Sequence, residues 1–139
     1  MAEDELTVDG IVPVPQRDVA LLLESGYLYM ELGKNREAEE VFQGVSSLIP
    51  HSEVPCMALG HLYFSMGRFG PALKEHQRAT QLAPESAAAH ASVGETLFFL
   101  RKHDEALASI GSAIAIDPEG PAAQFAGYLK EAHELGIFG

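Results

Sequence analysis

The sequence predicts an all-α protein made of repeated helix pairs, because three kinds of residue recur every 34 positions. A glycine, an alanine and a proline each recur at this spacing. They are Gly26, Gly60 and Gly94; Ala38, Ala72 and Ala106; and Pro50, Pro84 and Pro118. A period of this length is typical of solenoids built from helical hairpins. Such arrays offer partners an extended surface, so function is expected to lie in a surface and not in a catalytic pocket.

Residues 1–17 precede the repeats and form an acidic leader without a helical period. With Pro13 and Pro15 in this segment, we expect a flexible arm or an extended lead-in. Its short apolar patch, Ile11 to Val14, could dock in a groove as an extended strand. The helical domain is expected to span 18–139.

Three units are predicted, at 19–52, 53–86 and 87–120, each preceded by a residue able to cap a helix. These capping residues are Asp18, Ser52 and Ser86. The first helices are expected near 19–32, 53–66 and 87–100, and the second near 35–48, 69–82 and 103–116. Gly33 and Gly67 suit the left-handed end of a first helix, whereas Arg101 stands there in the third unit. Gly120 and Pro121 predict a closing helix over about 121–135.

These residues resemble the tetratricopeptide repeats, whose pattern combines a small residue in the first helix with alanine, an aromatic residue and proline in the second. The first unit carries Leu22, Gly26, Tyr29, Ala38, Phe42 and Pro50; the second Gly60, Tyr63, Ala72, Ala79 and Pro84; the third Gly94, Leu97, Ala106, Ala113 and Pro118. His76 and Ile110 stand where Phe42 stands in the first unit. The resemblance implies a right-handed superhelix of three helix pairs plus the closing helix.

The resemblance also implies that the first helix of each unit lines a concave groove with its positions 2, 5, 9 and 12. Twelve residues follow, which we call the groove positions: Ala20, Leu23, Tyr27 and Met30; Val54, Met57, His61 and Phe64; Ala88, Ala91, Glu95 and Phe98. The candidate binding residues among them are Leu23, Tyr27, Met30, Met57, His61, Phe64, Glu95 and Phe98. An exposed apolar floor of this kind marks a binding site. The alternative is that the leader or the closing helix buries it.

One subset of these repeats grips the terminal carboxylate of heat-shock proteins with Lys, Asn and Arg. The matching positions here are Leu23, Tyr27, Ala58, Ala88 and Ser92, and none carries a positive charge or an amide. Because a carboxylate buried without such donors is costly, the sequence argues against that function.

The length, acidity and apolar groove are similar to those of the small bacterial chaperones of type III secretion. Those chaperones hold an extended segment of a secreted protein before export. The resemblance therefore implies a cytoplasmic chaperone or adaptor that binds an apolar segment of a partner protein. The alternative is a general scaffold, or a self-associating module such as a homodimer, without chaperone duty.

Composition and motif content argue against several other classes of function. The net charge of −11 disfavours nucleic acid and anionic membranes, and favours a partner with a basic rim. No apolar run is long enough to span a bilayer, and the acidic beginning does not read as a signal peptide. Six dispersed histidines and one cysteine, Cys56, give no metal-site spacing, and no phosphate-binding loop appears. We therefore expect no metal, no cofactor and no enzymatic activity.

Overall fold

The computed structural model describes residues 5–8 and 12–139, with side chains from Pro15 onward. Seven α-helices follow a short hairpin. They are α1 Gln16–Glu31, α2 Asn35–Leu48, α3 Val54–Ser65, α4 Phe69–Leu82, α5 Ala87–Phe99, α6 His103–Ile116 and α7 Pro121–Glu134. Apart from that hairpin the described chain is helical, which confirms the predicted all-α class. Among these helices, none is long and apolar enough to cross a membrane.

The turn inside each unit is closed by the same hydrogen bond, repeated every 34 residues. The amide of Lys34 donates to the carbonyl of Tyr29 over 2.8 Å, and Arg68 and Lys102 make the equivalent bonds. This bond belongs to the Schellman motif, which requires one residue in the left-handed region. Gly33 and Gly67 adopt it with φ of 74° and 73°, as predicted. Arg101 adopts it with φ of 62°, although its side chain disfavours that conformation.

Each of the three repeated glycines admits a side chain from the second helix of its own unit. A Cβ atom at Gly26 would overlap the ring of Phe42, one at Gly60 the ring of His76, and one at Gly94 the Cγ2 of Ile110. The second-helix residue thus lies sixteen positions after its glycine in every unit. Close approach at this point explains why glycine recurs despite costing roughly 1 kcal/mol in a helix interior.

The beginnings of the first helices differ more than the period predicts. Ser86 caps α5, where its Oγ accepts the amide of Ala89 over 3.1 Å. Ser52 lies one residue before Glu53, the N-cap of α3. Its Oγ accepts a hydrogen bond from the amide of Val54 over 3.1 Å. Asp18 does not cap a helix, which corrects the prediction. Because α1 already begins after Pro15, Asp18 lies within its first turn, where negative charge is still favourable.

Clusters of buried apolar residues join neighbouring units. A cluster around Phe42, Leu59 and Leu62 joins the first two units, and a second cluster around Phe98, Ile110 and Leu129 joins the third unit to α7. Across the first boundary, the hydroxyl of Tyr63 in α3 donates to Glu39 Oε2 in α2 over 2.5 Å. The buried tyrosine therefore carries its polar end to a carboxylate of the preceding unit.

The closing helix α7 begins as expected, with Gly120 at the cap and Pro121 in the first helical turn. Tyr128 stands one period after Gly94, at what would be the glycine position of a fourth unit. Its side chain is largely exposed, and no second helix packs against it in the described chain. This substitution marks the end of the array within the structure.

Part of the predicted leader forms an antiparallel hairpin. Strand β1 covers Glu5–Val8 and strand β2 covers Val12–Pro15, with Leu6 opposite Val14 and Val8 opposite Val12. Strand β2 runs directly into α1. The predicted apolar patch includes Ile11, which lies outside the described residues.

Candidate functional site: the face formed by the first helices

The first helices lie side by side, so the groove positions of successive units meet. The hydroxyl of Tyr27 lies 3.4 Å from Nδ1 of His61, one full period later. Both side chains are partly accessible, yet burial raises the pKa of Tyr27 and lowers the pKa of His61. Each side chain therefore stays uncharged near neutral pH and presents a polar edge within an otherwise apolar surface.

Behind this polar pair lies a second layer of rings from the second helices. Tyr27 packs edge-on against Phe42, with ring centroids 5.1 Å apart. In the next unit His61 faces His76 at 5.3 Å, so two imidazoles replace the tyrosine and phenylalanine. His76 is fully buried, and burial, followed by the nearby His61, lowers its pKa to about 3. The sequence showed the substitution at position 76 but not its contact with a groove residue.

Glu95 continues the line of groove positions in the third unit. It is half-buried, and desolvation raises the pKa of its carboxyl group. Among the described residues it makes no hydrogen bond or ion pair with Tyr27 or His61. Of the three polar groove positions Tyr27, His61 and Glu95, only the first two are therefore joined by a hydrogen bond.

Leu23, Met30 and Phe64 border the apolar core without being fully enclosed by it. The ring of Phe64 also meets two rings that the repeat pattern does not single out, Phe69 at 5.1 Å and Phe99 at 4.9 Å. Phe69 begins α4 and Phe99 ends α5, so each lies beside the turn within its unit. Met57 packs instead beside buried Cys56, Ala79 and Ala89.

The third unit departs from the predicted open groove. Phe98 is fully buried, stacked on Phe138 with centroids 4.7 Å apart and flanked by His133 at 5.2 Å. Ala91 is buried in the same cluster, which also contains Ala126 and Leu129 of α7. The closing helix and the residues after it thus cover this end, as the alternative interpretation expected. Phe98 is a core residue here, which corrects its assignment to the exposed floor.

At the opposite end the face opens into an apolar cavity of about 380 Å³. Three groove positions, Ala20, Leu23 and Val54, lie in its wall. The rest of the lining comes from the amino-terminal part of α1 and the connection between α2 and α3. It consists of Gln16, Val19, Ile49, His51 and Ser52. A cavity of this size and lining can hold one or two apolar side chains of a binding partner.

The other candidate chemistry on the chain is sparse. Among the described residues no group of three or more His, Cys, Asp or Glu side chains could hold a metal ion. Cys56 is buried, and burial raises the pKa of its thiol, so it behaves as a small apolar side chain.

Comparison with known proteins agrees with this architecture. The family model described as tetratricopeptide repeat matches residues 19–52 and 55–86. No curated protein sequence matches the chain. Solved structures do resemble it at low sequence identity, and at this level they indicate a shared fold.

Two similar structures are of bacterial proteins. PcrH from Pseudomonas aeruginosa is 22% identical with a TM-score of 0.76, over 86% of this chain and 93% of that one. The Yersinia enterocolitica type III secretion translocator chaperone SycD is 16% identical with a TM-score of 0.75, over 85% and 92%. PcrH has also been solved in complex with the chaperone binding region of PopB.

A third similar structure is the first repeat domain of Spaghetti (RPAP3), bound to the HSP90 peptide SRMEEVD. It is 22% identical with a TM-score of 0.71, over 85% of this chain and 94% of that one. The family match in the first two units, the same turn bond in the third and these structural likenesses agree with one another. Residues 19–52 and 55–86 therefore match the tetratricopeptide repeat, and the chain shares the fold of these solved structures.

Proposed function

We propose that this protein is a non-enzymatic binding module that holds an apolar, extended segment of a partner protein along its first helices. The cavity lined by Ala20, Leu23 and Val54 carries this proposal. It lies at the open end of the face, and its wall is largely apolar. An extended segment anchored there would pass Tyr27 and His61, which offer hydrogen bonds to its backbone.

The specific version of the proposal is a cytoplasmic chaperone or adaptor of type III secretion. The likeness to PcrH and SycD supports it, since PcrH has been solved with a region of PopB bound. An acidic peptide such as SRMEEVD is a poorer candidate. This chain carries a net charge of −11, and Glu95 is the charged residue among the groove positions. A segment with basic residues beside its apolar ones fits that charge better.

Val54→Glu is the sharpest test of the cavity. Val54 is partly exposed at the first position of α3, where a carboxylate is compatible with the helix dipole. The fold should therefore survive, whereas an apolar side chain entering the cavity would meet a charge. Tyr27→Glu tests the middle of the same face. Tyr128→Glu is the matched control, because it places a carboxylate at an exposed aromatic position of α7.

The measurement is recovery of the natural partner from the native cytoplasm, quantified by mass spectrometry against wild-type protein. Val54→Glu and Tyr27→Glu should lose the main partner, while Tyr128→Glu keeps it. A photo-crosslinking residue at position 27 should label that partner, and one at position 128 should not. Retention of the same partner by all three variants would rule out binding of that partner along the groove positions. A partner that is never exported would favour the general scaffold.

A further inference from the structure

Helix α1 has a second apolar face, distinct from the groove positions, on which no helix of the described chain packs. Leu21 and Leu28 are each 54% exposed and Leu32 is 61% exposed. Spacings of seven and four residues put the three leucines in one stripe along the helix. Leucine in such a stripe is normally buried against another helix.

The other two units show what this stripe is built to contact. Leu21 corresponds to Pro55 and Ala89 one and two periods later, and Leu28 corresponds to Leu62 and Thr96. All four later residues are fully buried. Leu62 shares a buried cluster with Ala38 and Phe42 of α2, and Ala89 shares one with Ala79 of α4. The leucine stripe thus occupies the position of an inter-unit packing surface, and no preceding helix pair covers it in the described chain. In the described part of the chain, only the hairpin strands come before it.

We propose that the leucine stripe binds the same stripe of a second copy, with the two α1 helices antiparallel. In this arrangement Leu21 of each chain packs on the partner's Leu28. Ser25, near the centre of the stripe, is small enough to allow close approach. Because the surface is self-complementary, the contact closes on itself as a two-fold dimer.

The charges beside the stripe favour this orientation. Arg17 and Glu31 are exposed at opposite ends of α1, on the same flank of the stripe. Antiparallel pairing brings Arg17 of each chain to the partner's Glu31, and this happens twice. Glu24 lies midway on that flank, so the two copies of Glu24 face each other at the centre. The opposed pairs outnumber the like-charged one, and removing the charge of Glu24 is expected to tighten the dimer.

Sedimentation equilibrium over a concentration series tests the interface. The wild-type chain should fit a monomer–dimer equilibrium. Leu28→Glu should weaken the dimer roughly 30-fold or more, because one substitution places a charge in both halves of the contact. Leu135→Glu, at an exposed leucine beyond α7, is the matched control and should leave the dissociation constant unchanged. Circular dichroism verifies that both variants remain folded.

Charge exchange tests the orientation separately from burial. Arg17→Glu and Glu31→Arg should each weaken the dimer, whereas the double variant should recover it. Mixing the two single variants should also produce heterodimers, since every pair is then of opposite charge. Glu24→Gln should strengthen self-association. A wild-type chain that stays monomeric, growth beyond a dimer, or no recovery on mixing would overturn the proposal. The groove residues are not part of this contact, so its failure would leave the proposed function standing.

Discussion

The imidazole of His76 fills the space beside Gly60, so closely that a Cβ on the glycine would overlap the ring. Phe42 and Gly26 have the same relationship one unit earlier. The phenylalanine ring satisfies an apolar site completely, whereas Nδ1 of His76 is buried without a hydrogen-bond partner in the described structure. One repeat position thus holds an ideal occupant in one unit and a costly polar one in the next.

We predict that His76→Phe stabilises the protein. The variant copies the Gly26–Phe42 pair and removes a buried polar atom that lacks a partner, a change worth about 1–3 kcal/mol. Urea unfolding followed by circular dichroism at pH 7 measures the effect. A lower unfolding midpoint for the variant would show that His76 makes an interaction that phenylalanine cannot replace.

The pH dependence of stability follows from the same residue. An unfolded histidine has a pKa near 6.5, and burial lowers the pKa of His76 to about 3. Between these values the unfolded chain binds a proton that the folded chain does not. The contribution of His76 to stability is therefore fully present above pH 6.5 and is lost as the pH decreases. The unfolding free energy falls by about 2 kcal/mol between pH 7 and pH 5. His61 contributes in the same direction, because its pKa is also lowered.

The comparison of wild type with His76→Phe isolates this contribution. The difference in unfolding free energy between pH 7 and pH 5 should shrink in the variant. His51→Gln, at an exposed histidine, serves as the control and should retain the wild-type difference. An unchanged slope in His76→Phe would mean that His76 is charged in the folded protein or that other groups dominate the slope.

The repeated glycines should differ sharply from the other helical glycines. Gly26→Ala forces a methyl group into the enclosed ring of Phe42, and overpacking of this kind costs about 1–3 kcal/mol. Gly44→Ala is the matched control, since Gly44 lies inside α2 and an added Cβ there would meet no atom within 4 Å. It should gain up to about 1 kcal/mol from helix propensity alone. Thermal or urea unfolding should therefore move in opposite directions for the two variants.

The 34-residue period predicts best those features that every unit shares. The turn bonds, the glycine contacts and the helix pairs recur because each is formed between the two helices of a single unit. The period predicts the ends less well, because in the described chain the first and last helices each lack one neighbouring helix pair. It places Asp18 at a cap, although α1 starts directly after Pro15. It also places Phe98 in a groove that the chain's own last residues cover.

The sequence also does not predict which side chains on neighbouring helices contact each other. The spacing aligns Tyr27 with His61, and the structure shows their contact. The same spacing aligns His61 with Glu95, and no hydrogen bond joins that pair among the described residues. Residues at equivalent repeat positions have the same backbone environment. The length and shape of each side chain determine whether it contacts the equivalent residue of the next unit.

Phe138 tests the covering of the third unit. Its ring stacks on Phe98 at 4.7 Å and meets Phe99 at 5.5 Å. Because Phe138 is only partly buried, Phe138→Ala should cost somewhat less than the 3–5 kcal/mol typical of an enclosed phenylalanine, about 2 kcal/mol. Unfolding by urea measures the loss. Ile137→Ala, at an exposed neighbouring side chain, should change stability little.

Arg101 provides the clearest case in which the sequence departs from its own repeat at a cost. Its φ of 62° matches those of Gly33 and Gly67, and a residue with a Cβ is strained there by about 1–2 kcal/mol. Glycine relieves that strain but gains freedom in the unfolded chain, so Arg101→Gly should stabilise the protein by a net of about 0.5–1 kcal/mol. The reciprocal change, Gly67→Arg, should destabilise it by a similar amount or more. The two variants share one turn geometry, the Schellman bond from Lys102 to Leu97 or from Arg68 to Tyr63. If Arg101→Gly lowers the unfolding midpoint instead, the arginine side chain itself must stabilise the end of the array, where its guanidinium lies near Gly139.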